Sequence, residues 1–266
     1  MSAITVWIDG VGLLGPGLVS WASALETLRG TQPLTPAATV LPAPMRLPPA
    51  ERRRAGAAVK LALAVADEAV AAAQADPSTL ATVFTSSSGE GTNCHALCET
   101  LATPAPMVSP TRFTNSVHNA AAGCWHIAVA SRASSTSLCA FDGSFGAGLI
   151  EAATSVRLSG APILLVASDS PYPEPLNAVR PLPDHFGVAL LLAAAPGPHS
   201  LAALTIEIVG PEEAATRCSD AALDTLRRVI PAAAALPLLV GLAQPRPAGS
   251  SVIEGSLTTH LRLTLG

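Results

Sequence analysis

The chain has 266 residues, of which 49% are hydrophobic and only 13% charged, about half the usual charged share. Such a composition builds a full core and excludes disorder, while a net charge of −4 and a single lysine, Lys60, exclude nucleic acid or an anionic membrane as the main ligand. A folded chain of this size exposes on the order of 10,000 Å², and 15 basic and 19 acidic side chains cover that sparsely. Either the surface is rich in Ala, Ser, Thr and Pro, or part of it is hidden against a partner.

No basic residue precedes Arg29, and Asp9 stands where a secretory signal would be apolar. The longest apolar run, Val229 to Ala243, is cut by Pro231 and Pro237 and is too short to span a bilayer. The five cysteines follow no disulfide framework, which implies reduced thiols in a cytoplasm.

In chain order, Ile4 to Ile8 reads as a strand closed by Asp9-Gly10, and Leu18 to Leu28 as a helix stopped at Gly30. Six prolines between 31 and 50 mark a long connection. Helical spacing of Val59, Leu63, Ala66 and Val70 predicts a helix over Glu51 to Gln74, ended by Asp76-Pro77. A buried strand over Leu80 to Thr85 precedes a helix from Thr92 to Leu101. The next helix runs from Asn115 to Arg132 with Val117, Ala121, Cys124 and Ala128 inward. Strand Thr136 to Phe141 leads into a helix over Gly143 to Leu158 with Phe145, Leu149, Ala152 and Val156 on its inner face. Strand Ile163 to Ala167, a proline-rich loop, strands Phe186 to Leu192 and Leu201 to Val209, and a helix from Glu212 to Ile230 follow. Leu257, Thr259, Leu261, Leu263 and Leu265 alternate as a half-exposed strand does. Strands alternating with helices over the first 170 residues imply a mostly parallel sheet covered on both faces.

Gly10-Val11-Gly12-Leu13-Leu14-Gly15 fits G-x-G-x-x-G after a strand. Pro16-Gly17 follows, however, and no acid occurs from Thr27 to Ala50, so a tight strand-to-helix turn is preferred to a dinucleotide site. Cys94, His95 and Cys98 have no second ligand pair for zinc. Cys94, Leu97, Cys98 and Leu101 instead form an apolar helical stripe, which predicts core cysteines. Cys124 falls on a buried helix face and His126 at a partly exposed position. No cofactor and no metal site is expected. The most informative stretch is Thr136 to Gly146, a strand turning sharply into a glycine-rich helix, which is how enzymes expose a nucleophile. Ser144 lies in D-G-S-F-G, one glycine short of the hydrolase elbow. Cys139 lies inside the strand, and Asp142 takes the helix N-cap position.

The order of these pieces resembles the N-terminal half of the β-ketoacyl synthases, which have the thiolase fold. The opening I-T-V-W-I-D-G-V-G-L-L-G-P-G is similar to the family's first strand and glycine turn, and Arg52-Arg53-Arg54 to its helix entry. Val108-Ser109-Pro110 with Phe113, Asn115, Asn119 and Ala122-Gly123 resembles the run at the family's dimer interface. Leu138 to Ala152 resembles the nucleophile elbow. The resemblance covers residues 1–195 and implies an α/β chain, half of a thiolase-like fold. Its mixed, mostly parallel sheet has helices on both faces, with Phe186 to Leu192 as the one antiparallel strand. Residues 196–266 are expected as a C-terminal extension packed on the same domain.

Counted back from Glu151-Ala152, the family's acyl-accepting cysteine falls on Asp142, and the half that supplies the family's catalytic histidines and lysine has no counterpart; His185, His199 and His260 match no such motif. The resemblance therefore implies a non-catalytic, chain-length-factor-type subunit that pairs with an active β-ketoacyl synthase of a type II polyketide, aryl-polyene or fatty-acid-type system. An acyl carrier protein would reach it through that complex. Between Asn115 and Phe141 the only charged residue is Arg132, so the partner face is expected at Asn115, His118, Asn119, Ala121, Cys124, Trp125, Ala128, Thr136 and Leu138. The alternative is a serine hydrolase or acyltransferase using Ser144.

Overall fold

The computed structural model describes residues 3–87, 89–256 and 258–266. Eight strands, β1 (Ile4–Leu14), β2 (Ala81–Thr85), β3 (Ser135–Leu138), β4 (Ile163–Asp169), β5 (Phe186–Ala193), β6 (Ala202–Val209), β7 (Gly249–Glu254) and β8 (His260–Leu265), form one sheet in the order β3-β2-β4-β5-β1-β6-β8-β7. The helices are α1 (Trp21–Leu28), α2 (Pro49–Arg54), α3 (Ala57–Ala72), α4 (Gly91–Leu101), α5 (Pro110–Thr114), α6 (Ala120–Ala128), α7 (Ser144–Ser159), α8 (Leu176–Val179), α9 (Ala221–Val229) and α10 (Leu236–Leu242). Strands β2, β3 and β4 are mutually parallel, and β5 runs antiparallel between β4 and β1. The β4–β5 connection contains only the four-residue α8, too little for the crossover a parallel return needs, so the chain reverses. The expected pattern of four co-directional strands and one opposed strand is therefore the observed one over residues 1–195. Beyond it, β6, β8 and β7 continue the same sheet antiparallel to their neighbours.

Helices α3 and α7 cover opposite faces. Alternation along β4 sends Ile163, Leu165 and Ala167 into the core with α7, and Leu164 and Val166 into the core with α3 and α6. The expected inner face of α7, Phe145, Leu149, Ala152 and Val156, is fully buried. Val59, Leu63, Ala66 and Val70 are buried as their spacing predicted, although the one helix expected from Glu51 is broken at Ala55-Gly56 into α2 and α3.

The glycine motif is not a strand-to-helix turn. β1 runs through Gly10 and Gly12 to Leu14, with a register shift between Ile8 and Gly10. A Cβ on Gly10 would strike the Ala69 carbonyl, and one on Gly12 the Val65 carbonyl. The glycines let the alanine-rich α3 lie against the strand backbone. Glu68 of α3 completes the contact, accepting from the Leu13 and Trp21 N–H groups at 2.8 and 2.7 Å.

Two further expectations are corrected. The helix of Asn115 to Arg132 shrinks to α6, whose buried residues are Ala120, Ala122 and Trp125; Val117 is exposed and Ala121, Cys124 and Ala128 are half-buried. Trp125, with no accessible surface, is the largest side chain available and rotates the helix so that it fills the core beside α3. The helix expected over Glu212 to Ile230 shortens to α9, because Asp220 caps it by accepting from Ala222 and Leu223 N–H at 2.8 and 3.0 Å. In β8, Leu261, Leu263 and Leu265 are buried in alternation, as expected; Leu257 lies outside the described residues.

A buried carboxylate joins the C-terminal ends of β2 and β4. Asp169 Oδ1 accepts from Ser87 N–H at 2.7 Å, and its Oδ2 from Ala232 N–H at 2.8 Å. Burial pushes its pKa up, against the hydrogen bonds and the Arg180 charge that lower it. Two oxygens serve two backbone donors, so an amide, which accepts on one oxygen only, cannot replace it. Asp169→Asn is expected to cost about 1–3 kcal/mol, read as a lower midpoint in denaturant. Trp125→Ala is expected to cost about 3–5 kcal/mol. Gly12→Val is expected to prevent α3 from seating on β1, read as loss of the cooperative thermal transition.

Candidate functional site

The elbow is built by β3, a 3₁₀ turn at Phe141–Gly143 and the start of α7. Phe141 sits at its apex with φ of 54°, in the left-handed region that bulky residues avoid. Gly143 follows because a Cβ there would strike the Gly255 carbonyl of the β7–β8 hairpin. Strand ends and a buried serine hold the turn. Ser144, 1% exposed, donates toward the carbonyls of Phe141 and Ser86 at 2.7 and 3.1 Å and accepts from Ala140 N–H at 3.0 Å. Thr85 donates to the Ser144 carbonyl at 2.8 Å.

These contacts make Ser144 a structural residue. The ring nitrogens of His118, His126, His185 and His260 bond to Ser137, Thr82, Ser170 and Glu213, and among the described residues none of them bonds to Ser144. The hydrolase reading thus lacks its general base. Cys139 is not strand-embedded as expected. β3 ends at Leu138, which leaves Cys139 exposed, and partial burial of its thiol together with the Asp169 charge pushes its pKa up, the reverse of an activated nucleophile. Asp142 does not cap the helix. The N-cap residue of α7 is Gly143, without a side-chain bond, because the 3₁₀ turn displaces the helix start by one residue; Asp142 is exposed and paired with Arg180. The same guanidinium lies over the Phe141 ring, 3.6 Å from its centroid, and 5.3 Å from that of Tyr172. Tyr172 in turn shares a 2.8 Å bond with Ser87, beside Asp169.

The second feature is the sheet edge. Among the described residues β3 pairs only with β2, and its residues Ser135 and Thr136 are exposed while Ser137 and Leu138 are half-buried. The segment that leads to it is rich in exposed apolar side chains: Leu101, Met107 (87% exposed), Val108, Phe113 (64%), Val117 and Ile127, with Phe141 just beyond. Accessible surface totals 12101 Å², against about 10,800 Å² for a compact monomer of this mass.

Of the residues expected on a partner face, His118, Asn119 and Thr136 are exposed and Asn115 and Leu138 half-buried. His118 also bonds the Ser137 carbonyl at 3.2 Å and so ties the α5–α6 loop to β3. Ala121, Cys124 and Ala128 are half-buried against the core, and Trp125 belongs to the core itself. The predicted core cysteines of α4 are corrected as well. Cys94 and Cys98 are exposed and only Leu97 of that stripe is buried, because α4 lies outside both cores and packs chiefly on α5. Among the described residues no three His, Cys, Asp or Glu side chains converge as metal ligands, and no helix is long and apolar enough to cross a membrane.

Asp169, Tyr172 and Arg180 escape sequence reasoning. Asp169 alone carries a signal, a carboxylate ending the buried run I-L-L-V-A-S; Arg180 sits in a loop whose course toward the elbow nothing in the sequence foretells.

No curated protein matches the chain by sequence. Among solved structures, one chain of the ketosynthase ApeO in complex with its chain length factor ApeC from Xenorhabdus doucetiae is similar with a TM-score of 0.74. That likeness has 23% identity and covers 98% of this chain and 99% of that one. The ishigamide ketosynthase/chain length factor gives 0.73 at 16% identity, over 98% and 99% of the two chains. AntDE:AntF, a type II polyketide synthase acyl-carrier protein in complex with its ketosynthase, gives 0.68 at 12%, over 100% and 99%. These likenesses establish a shared fold. A model of the β-ketoacyl synthase N-terminal domain matches residues 25–235, well over half of the chain, and on that match the protein belongs to the β-ketoacyl synthase family.

Proposed function

We propose that this chain is a non-catalytic ketosynthase-like subunit, a chain length factor, that pairs with an active β-ketoacyl synthase in a polyketide- or fatty-acid-type system. The observation that carries the reading is the unpaired, almost uncharged edge at β3, preceded by exposed apolar residues from Leu101 to Ile127. An edge strand normally carries charge or proline against unwanted pairing. Leaving β3 without either suits a strand that meets a counterpart in a partner, within an interface of roughly 2,000 Å² or more. The elbow supports the same reading. Its apex is Phe141, Asp142 is bound to Arg180, and Ser144 is enclosed, so no thiolate stands where a thioester would form.

On this reading the division of labour is the one that membership of the β-ketoacyl synthase family implies. The partner supplies the cysteine, takes the acyl group from an acyl carrier protein and condenses it with a malonyl unit as carbon dioxide leaves. This chain supplies packing across the interface and part of the wall against which the growing acyl chain ends. Five free cysteines suit the reducing cytoplasm in which such a pair would work. The similarity to chains from ketosynthase/chain length factor complexes, and to one from an acyl-carrier protein in complex with its ketosynthase, accords with this assignment.

Ala121 and Ala128 pack against the core, so arginine there would test folding rather than pairing. Thr136→Lys and Ile127→Arg change exposed positions instead. Co-expressed with the ketosynthase, both variants are expected to keep the wild-type circular dichroism and thermal midpoint while affinity falls about tenfold or more, and wild-type affinity in both would refute the interface. In the same complex a thioester acylation probe is expected to label the partner's cysteine and to leave this chain unmodified. Labelling of Ser144 or Cys139 in the isolated chain would overturn the non-catalytic reading.

A further inference from the structure

Two thiols expected in the core stand outside it, one turn apart on α4. Cys94 and Cys98 are both exposed, while Leu97 between them is buried. A spacing of four residues offsets them by about 40° around the helix and about 6 Å along it, so they share one face. Partial burial pushes the Cys94 thiol up, and the charge of Cys98 and a hydrogen bond with it add to this. The two sulfurs are therefore close neighbours. None of Cys124, Cys139 and Cys218 has a second thiol acting on it in this way.

Such a pair can close on itself or on an ion, and the helix decides between the two. A disulfide needs its Cβ atoms about 3.5–4.5 Å apart. Residues four apart on a helix hold theirs about 5–6 Å apart, so a disulfide would unwind α4. An ion between two thiolates in line needs the sulfurs about 4.6 Å apart, twice a metal–sulfur bond of about 2.3 Å. Rotation about χ1 alone reaches that separation from an intact helix.

The number of ligands selects the ion. His95 lies about 100° further round the helix, and its Nε2 is 3.4 Å from Oε1 of Glu99 instead. Among the described residues no third His, Cys, Asp or Glu side chain joins the pair. A closed zinc site takes four ligands, whereas Cu(I) prefers thiolates and is satisfied by two. We infer that Cys94 and Cys98 form a two-coordinate site for a monovalent thiophilic metal ion of the Cu(I) type. Binding releases the two thiol protons to solvent and forms two metal–sulfur bonds, with no change of oxidation state. The ion cross-links one turn of α4, the helix that packs chiefly on α5. The site belongs to this chain alone and does not rest on the function proposed above.

Cu(I) is titrated, without oxygen and with the thiols reduced, into the isolated chain in the presence of bicinchoninate. The colour of the bicinchoninate complex fades as the protein takes the ion, and one ion per chain is expected. Bound Cu(I) is expected to shield Cys94 and Cys98 together from iodoacetamide, read by mass spectrometry, and to leave the exposed Cys139 reactive. Cys94→Ser and Cys98→Ser are each expected to lower the affinity about a hundredfold, since a second anchor strengthens binding by about 10²–10⁴. Cys139→Ser is expected to leave it unchanged. Three results overturn the site: no uptake of Cu(I), shielding of Cys139 in place of the α4 pair, or wild-type affinity in Cys94→Ser with native circular dichroism. One ion shared by two chains, read as a doubled mass in size exclusion, overturns it as well. The shielding pattern is read on the wild-type chain, so it decides the question even where a variant misfolds.

Discussion

The geometry of the elbow depends on one buried carboxylate. Asp169 stands at the C-terminal end of β4, where neighbouring loop and 3₁₀ segments present backbone N–H groups. By accepting from Ser87 and Ala232 it joins the loop after β2 to the 3₁₀ segment before α10. The β2 loop then carries the Ser86 carbonyl to Ser144, and Ser144 fixes the turn that holds Phe141 at positive φ. A buried carboxyl group is tolerable in this place because both of its oxygens accept from fixed backbone donors. The strain at Phe141 and the burial of Asp169 thus belong to one network, with Arg180 closing it from outside through Phe141, Tyr172 and Asp142.

Sequence periodicity carried the interior well and the surface poorly, for physical reasons. α7 is covered along one full face, so Phe145, Leu149, Ala152 and Val156 repeat at helical spacing and could be placed. Leu261, Leu263 and Leu265 were legible because β8 is buried on one side only. α4 and α6 defeat the same logic. Their apolar residues are spread around the helix, since one side of α6 meets the core through Trp125 and the other carries exposed Ile127. Apolar spacing cannot tell a core stripe from an exposed one, and Cys94 and Cys98 were misplaced for that reason. The glycine motif misled in a related way. Gly10 and Gly12 answer to a helix crossing the strand, a long-range contact that leaves no local signature different from that of a turn.

The candidate site was only half visible. Reading the sequence located the strand-to-helix junction, because D-G-S-F-G marks it by its own chemistry. It could not say which residue occupies the strained apex, since that depends on the Gly143–Gly255 contact with a hairpin more than a hundred positions away. Asp142 was read as a cap from its position before the helix, yet the 3₁₀ turn carries it outward to Arg180. Nor could the sequence gather Arg180, Arg227 and Arg228, which reach one cavity only because α9 and the α8 loop flank the same sheet end.

The low charge of the chain finds its physical place in this arrangement. Fifteen basic and nineteen acidic residues are too few to solvate the whole surface evenly, and they are not spread evenly. The edge from Asn115 to Phe141 carries Arg132 alone, while three of the arginines gather at the cavity beside the elbow. An apolar edge and a guanidinium-lined opening at the end of the same sheet make different demands on what meets them. The first gains by excluding water over a wide, shape-matched area. The second already holds countercharges within the chain, Asp142 for Arg180 and Asp224 for both Arg227 and Arg228.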